Sequence, residues 1–221
     1  MKQNSANTLA ILGITVATVA LIIGAVFGMS KIFGGSKEML AVDRSILINA
    51  DHYRYGPENA QVEIVEFSDF ECPACSASAP FLKKLVDQNP ERISITFRNY
   101  PLSFHPKSRE AAMVVLAAGK QGKFWEMHDL LFANQKVWAA GNQLEVDHFE
   151  EYAVSLDLDI EQFNSDRNDP ELASKIESDQ ADGNRAGVSA TPTFFINGKM
   201  VVGFGSVEFN KILEEELNQN N

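Results

Sequence analysis

The stretch that most restricts the fold is QVEIVEFSDFECPAC, residues 61–75. A strand-like run at residues 62–67 passes into a Cys-Pro-Ala-Cys turn and then into helical sequence reaching about Asp87. A second strand-like run, RISITFRNY, follows at residues 92–100. Residues 105–169 then lose strand character: SREAAMVVLAAGK, KFWEMHDLLFAN, DHFEEYAVSL and IEQFNSDR carry apolar residues at three-and-four spacing, separated by Gly, Asn and Asp. A longer polar helix is predicted over 170–186. VSATPTFFINGKMVVGF then gives two strands joined at Asn197-Gly198, a strong hairpin signal. An amphipathic helix over 206–217 closes the chain.

The order β-α-β, helices, α-β-β-α is that of an α/β protein with a thioredoxin fold interrupted by a helical subdomain. It divides the chain into a first part at 61–104, an insertion at 105–169 and a second part at 170–221. With 45% hydrophobic and 22% charged residues there is apolar material for one substantial core. Upstream, Lys2, Lys31 and Lys37 are the only charges among residues 1–37, and TLAILGITVATVALIIGAVFGM at 8–29 would span roughly 33 Å as a helix. That length predicts one N-terminal transmembrane helix at 8–30 behind a short cytoplasmic tail at 1–7. A cleavable signal peptide is the rival reading, but its apolar core normally runs only ~7–15 residues and ends at a small-residue cleavage site. Residues 31–60 read as a tether and N-terminal arm. Beyond residue 37 the chain carries 16 basic against 30 acidic residues, which argues against nucleic-acid binding.

Cys72 and Cys75 are the only cysteines. The pair, Glu66 six residues upstream, Pro80, YPLSFHP after the second strand and VSATPTFFINGK before the hairpin together resemble the DsbA-like thiol-disulfide oxidoreductases, in particular membrane-anchored members, over residues 60–217. The resemblance implies a redox-active disulfide between Cys72 and Cys75 and no organic cofactor or metal. At a helix N-terminus, with Pro73 just inside, Cys72 would be held as the reactive thiolate, and Cys75, one turn on, would resolve the mixed disulfide. A zinc site would need two further ligands from His52, His105, His128 or His148, which form no recognisable second pair.

Val62, Ile64 and Glu66 alternate onto one strand face, so in a central strand Glu66 would be buried beneath the cysteines with a raised pKa, handling the proton of Cys75. In an edge strand it would merely be solvated. Thr191-Pro192 breaks a strand-like run, and the resemblance implies a cis bond that sets Thr191 beside Cys72 as a rim for extended substrate. His105 and His128 are expected at a helix start or core edge, and Phe124, Trp125, Leu130, Leu131 and Phe132 in the core of the insertion. Asp69 and Glu71, expected to be solvated, and the absence of a cation at Ala74 oppose the thiolate. The expected partners are newly exported client proteins, a membrane quinone-linked thiol reoxidase and the membrane itself, with the catalytic domain on the extracytoplasmic side. An isomerase or reductase of the same fold, a Cu(I) or zinc carrier and a redox-inert client-binding domain remain as alternatives.

Overall fold

The computed structural model describes residues 42–48, 51–139 and 148–219, all within the unit Leu40–Asn221. The segment expected to cross the membrane lies outside them; among the described residues no helix is long and apolar enough to do so.

Two short elements come first. Helix α1 (Arg44–Leu47) is capped by Asp43, which accepts from Ser45 N–H, and strand β1 (Tyr53–Tyr55) follows. Both lie in the stretch that reads as an arm, being too short to show a period in sequence. β1 is nonetheless fixed in place: the Tyr53 ring stacks on Phe124 with centroids 3.9 Å apart, and it lies so close to Gly119 that a Cβ there would collide with it.

Strand β2 (Val62–Ser68) is buried at every position except Glu63, as a strand covered on both faces must be. It leads into helix α2 (Pro73–Asp87), and β3 (Ile93–Asn99) returns parallel to β2. The insertion consists of α3 (Ser108–Lys120), α4 (Phe124–Ala133), α5 (Gln135–Trp138), α6 (His148–Ser155) and α7 (Ile160–Asp166). Helix α8 (Pro170–Ala186) starts on the Asp169 cap with Pro170 at its first position and stops at Gly187, whose φ of 86° is left-handed. Strands β4 (Thr193–Ile196) and β5 (Lys199–Val202) are joined by Asn197 and Gly198, both at positive φ, as a primed hairpin turn requires. Helix α9 (Val207–Asn218) begins one residue later than the periodicity suggests because Ser206 serves as its cap, accepting from Phe209 N–H.

The sheet order is β1-β3-β2-β4-β5, with β1, β4 and β5 antiparallel to their neighbours. β2 is therefore the middle strand. Leu82 and Val86 of α2 pack with Ile64, Ile95, Phe194 and Phe209 in one cluster, each such side chain contributing about 1.5–3 kcal/mol by burial. Cys72, Cys75 and Phe70 belong instead to the cluster built by the insertion, with Met127, Leu131 and Phe132. Phe124, Leu131 and Phe132 are buried there as expected, while Trp125 and Leu130 are half-buried. The inserted helices thus form one wall of the cysteine site.

Candidate active site

β2 ends at Ser68, and its register sets Phe67 opposite Thr193 of β4. Thr191 and Pro192 consequently lie just past the end of the central strand, where the other chain segment turns into Cys72. The Thr191-Pro192 bond is cis, and the Cys72 thiol donates to Thr191 O at 3.4 Å. Cys72 occupies the N-cap position of α2 with Pro73 and the exposed Ala74 next, so its side chain faces the unpaired N–H groups of the first turn. Both cysteines are free thiols and both are buried, Cys75 completely.

The Cys72 pKa is drawn down to about 5, first by a hydrogen bond from the Cys75 thiol, against the opposing effect of burial. The Thr191 side chain and the N–H groups of Cys75 and Ala74 lower it further. Cys75 moves the other way: burial raises its pKa, and the hydrogen bond to Cys72 and the nearby charge of Glu66 raise it further. One sulfur is thus prepared as a thiolate and the other as a thiol, which is what sequential attack and resolution need.

Glu66 is 2% exposed, paired across the sheet with Phe97 and Phe194. Its hydrogen-bond partner is Ser68, whose hydroxyl donates at 3.0 Å. Burial pushes its pKa up to about 8, with the Ser68 bond opposing and the charge of Cys72 reinforcing. At neutral pH the carboxyl holds a proton within electrostatic reach of Cys75.

Asp69 departs from the sequence reading. It is buried rather than solvated, and it accepts from Glu71 N–H at 2.7 Å, Leu102 N–H at 2.7 Å and the Ser108 hydroxyl at 2.5 Å, with His105 Nδ1 at 2.8 Å. Its role is to tie the YPLSFHP loop and the start of α3 to the turn before Cys72. Glu71, half-buried, likewise accepts from Lys107 N–H at 2.8 Å. Gln135 of α5 completes the support, donating to Phe70 O at 2.7 Å and Cys72 O at 2.9 Å.

The structure therefore brings Cys72, Cys75, Glu66, Thr191 and Pro192 to one place, and adds Ser68, Asp69 and Gln135. Ser68 had a signal, two residues beyond Glu66 on the same strand face; Gln135 had none. His105 sits in the loop beside Asp69, and His128 is buried among Phe70, Phe97, Trp125 and Phe132, where burial lowers its pKa. Among the described residues no three His, Cys, Asp or Glu side chains are grouped to hold a metal ion.

The sequence profile of the thioredoxin family matches residues 49–215. Among solved structures, a thioredoxin-like oxidoreductase from Silicibacter pomeroyi superposes with a TM-score of 0.65 at 27% identity, covering 80% of this chain and 96% of that one. BdbD from Bacillus subtilis superposes at 0.64 and 25% identity over 75% and 92%, and DsbA2 from Pseudomonas aeruginosa at 0.63 and 27% over 78% and 97%. The curated relatives include the Na(+)/H(+) antiporter NhaA 1 of Salinispora arenicola, 40% identical over 159 residues, which are 72% of this chain and 23% of that protein. NhaA 3 of Salinispora tropica is 37% identical over 179 residues, 80% and 26% respectively. The chain spans about a quarter of the length of these antiporters, whose name describes the longer proteins.

Proposed function

The chain belongs to the DsbA-like thiol-disulfide oxidoreductases of the thioredoxin superfamily, and on that premise we propose that it is a membrane-anchored enzyme that donates disulfides to newly exported proteins. The observation that carries this reading is the pair of opposite sulfur environments: Cys72 drawn to about 5 at a helix N-terminus, and Cys75 held as a thiol above a carboxyl whose pKa is about 8. In oxidation, a client thiolate attacks the Cys72 sulfur of the Cys72–Cys75 disulfide. Cys75 leaves with the electron pair and takes the Glu66 proton. A second client thiolate then attacks the client sulfur of the mixed disulfide, and Cys72 departs as the stabilised thiolate. Thr191, exposing its backbone beside Pro192, lines the rim along which the extended client lies.

A thiolate stabilised in the reduced form raises the reduction potential, by about 30 mV for each pKa unit in a two-electron couple. This favours a net oxidant with a potential above the roughly −270 mV of thioredoxin. A quinone-linked membrane reoxidase would return the pair to the disulfide. Disulfides persist outside the reducing cytosol, which together with the apolar stretch at 8–29 supports an N-terminal anchor and an extracytoplasmic catalytic domain.

The test pairs catalysis with trapping. The full chain should oxidise a dithiol peptide, Cys72→Ser should abolish turnover, and Cys75→Ser should accumulate mixed disulfides with clients on non-reducing gels. Equal trapping by both variants would remove the assignment of roles, and an inactive wild-type protein would favour a client-binding domain. Protease added to intact spheroplasts should digest the catalytic domain; full protection would defeat the proposed topology.

A further inference from the structure

If Glu66 exchanges a proton with Cys75, it must also exchange one with solvent in every cycle, yet it is 2% exposed and its partner Ser68 is 1% exposed. The opening beside it is a cavity of about 10 Å³, close to the space one water molecule needs, lined by Glu66, His128, Asp129, Lys83, Tyr55 and Trp125 among others. His128 Nδ1 lies 2.9 Å from Asp129 Oδ1, while Nε2 is buried without a hydrogen-bond partner. The Asp129 side chain is 43% exposed and stands 3.7 Å from Lys83 Nζ. A buried water needs two or more polar partners, and Glu66 and His128, which both line the cavity, each carry a polar group that could serve.

We propose that His128, through one water molecule in this cavity, relays protons between Glu66 and the solvent-facing carboxylate Asp129. The inference rests on the proton-handling role of Glu66 set out above. When Cys75 leaves the disulfide it takes the Glu66 proton; the carboxylate recovers one from the cavity water, the water one from His128 Nε2–H, Nδ1 one from Asp129, and Asp129 one from solvent. When Cys75 later attacks a mixed disulfide, Glu66 must first be empty, and the same steps run outward. The two imidazole tautomers alternate, and electrons move only between sulfurs. The titratable groups facing His128 are Glu66 from β2, Lys83 from α2, Asp129 from α4 and Tyr55 from β1. Burial keeps the imidazole neutral and so able to accept a proton, which is consistent with the relay.

The test measures steady-state oxidation of a dithiol peptide by the full chain with oxidised glutathione as terminal oxidant, so that Glu66 must be recharged and emptied in every cycle, from about pH 6 to about pH 9, with the Cys72 thiolate titrated separately by its ultraviolet absorbance. His128→Gln should slow turnover about tenfold near neutral pH without moving the thiolate titration. The Glu66→Gln, His128→Gln double variant should be no slower than Glu66→Gln alone, since both act on one path. Asp129→Asn, which leaves the aromatic packing intact, should slow it several-fold. If Glu66→Gln is slow and His128→Gln keeps the wild-type rate and pH profile, the relay is overturned while the role of Glu66 stands. Slowing in His128→Gln with Asp129→Asn at the wild-type rate would assign the effect to packing and also overturn it. A wild-type rate in Glu66→Gln would instead overturn the reading on which the relay rests.

Discussion

Glu66 and Asp179 are both buried carboxylates, 2% and 1% exposed, one on the middle strand and the other on α8 against the neighbouring strand. They differ in what surrounds them. Asp179 accepts from Arg98 Nε at 2.7 Å and Asn99 N–H at 2.9 Å, with His52 Nε2 at 3.3 Å. Burial pushes its pKa up, but these bonds and the Arg98 charge outweigh it, and the carboxyl is held below its ordinary value. Glu66 has one hydroxyl and no cation, so burial prevails and the proton stays on. Burial alone therefore does not decide protonation; the placement of a cation does. The Arg98 guanidinium also donates to Asp182 and to the carbonyls of Ile46 and Leu47, joining the N-terminal segment to β3 and α8. One carboxylate builds the fold, and the other remains available for chemistry.

The largest effect expected from this contrast is at the paired site. Arg98→Met should destabilise the protein by about 3–5 kcal/mol in denaturant unfolding, because buried Asp179 would lose its guanidinium partner and the Ile46 and Leu47 carbonyls their donor, while Asp182 keeps Arg185. A loss below about 1 kcal/mol would remove the distinction between the two regions.

Glu66→Gln should do the opposite, stabilising the fold while slowing turnover. With a folded pKa of about 8 against an unfolded value near 4.3, the wild-type carboxyl binds more protons folded than unfolded between those limits. Its contribution is fully present below about pH 4.3 and is lost as pH rises through about 8, at roughly 1.4 kcal/mol per unit. The glutamine variant should therefore gain on the order of 3 kcal/mol over wild type at neutral pH, with that slope absent. Parallel stability-pH curves would show that Glu66 is not held protonated.

Ala74→His should have the smallest effect. A cation on the exposed first turn of α2 stabilises the thiolate without reaching the buried carboxyl, so the potential should rise by about 30 mV or less with the Glu66 titration unmoved. A lowered potential would mean that the two sites are not separable in this way.

Much of this arrangement is legible in sequence. The alternation at 62–67, the Cys-Pro-Ala-Cys turn, Asn197-Gly198 and the capped helices are local signals, and each appears within a residue or two of its expected bounds. Ser68 shares the period that exposed Glu66 as a candidate. The rest depends on contacts far apart in the chain. β1 and α1 are three and four residues long and acquire their places through Gly119 and Arg98. Asp69 reads as a charge opposing Cys72 until the loop 36 residues on supplies its donors. Arg98 gives no sign in RISITFRNY of being completely buried, because its partners lie on α8, 81 and 84 residues later.

The most direct test is a carboxyl-carbon NMR titration of Glu66 and Asp179 in one sample of the reduced full chain, with resonances assigned through Glu66→Gln and Asp179→Asn. Glu66 is predicted to titrate at about 8 and Asp179 to remain ionised to below the usual aspartate range. A Glu66 midpoint in the ordinary range near 4.3 would contradict the account, because the carboxyl would then hold no proton to give to Cys75 at neutral pH.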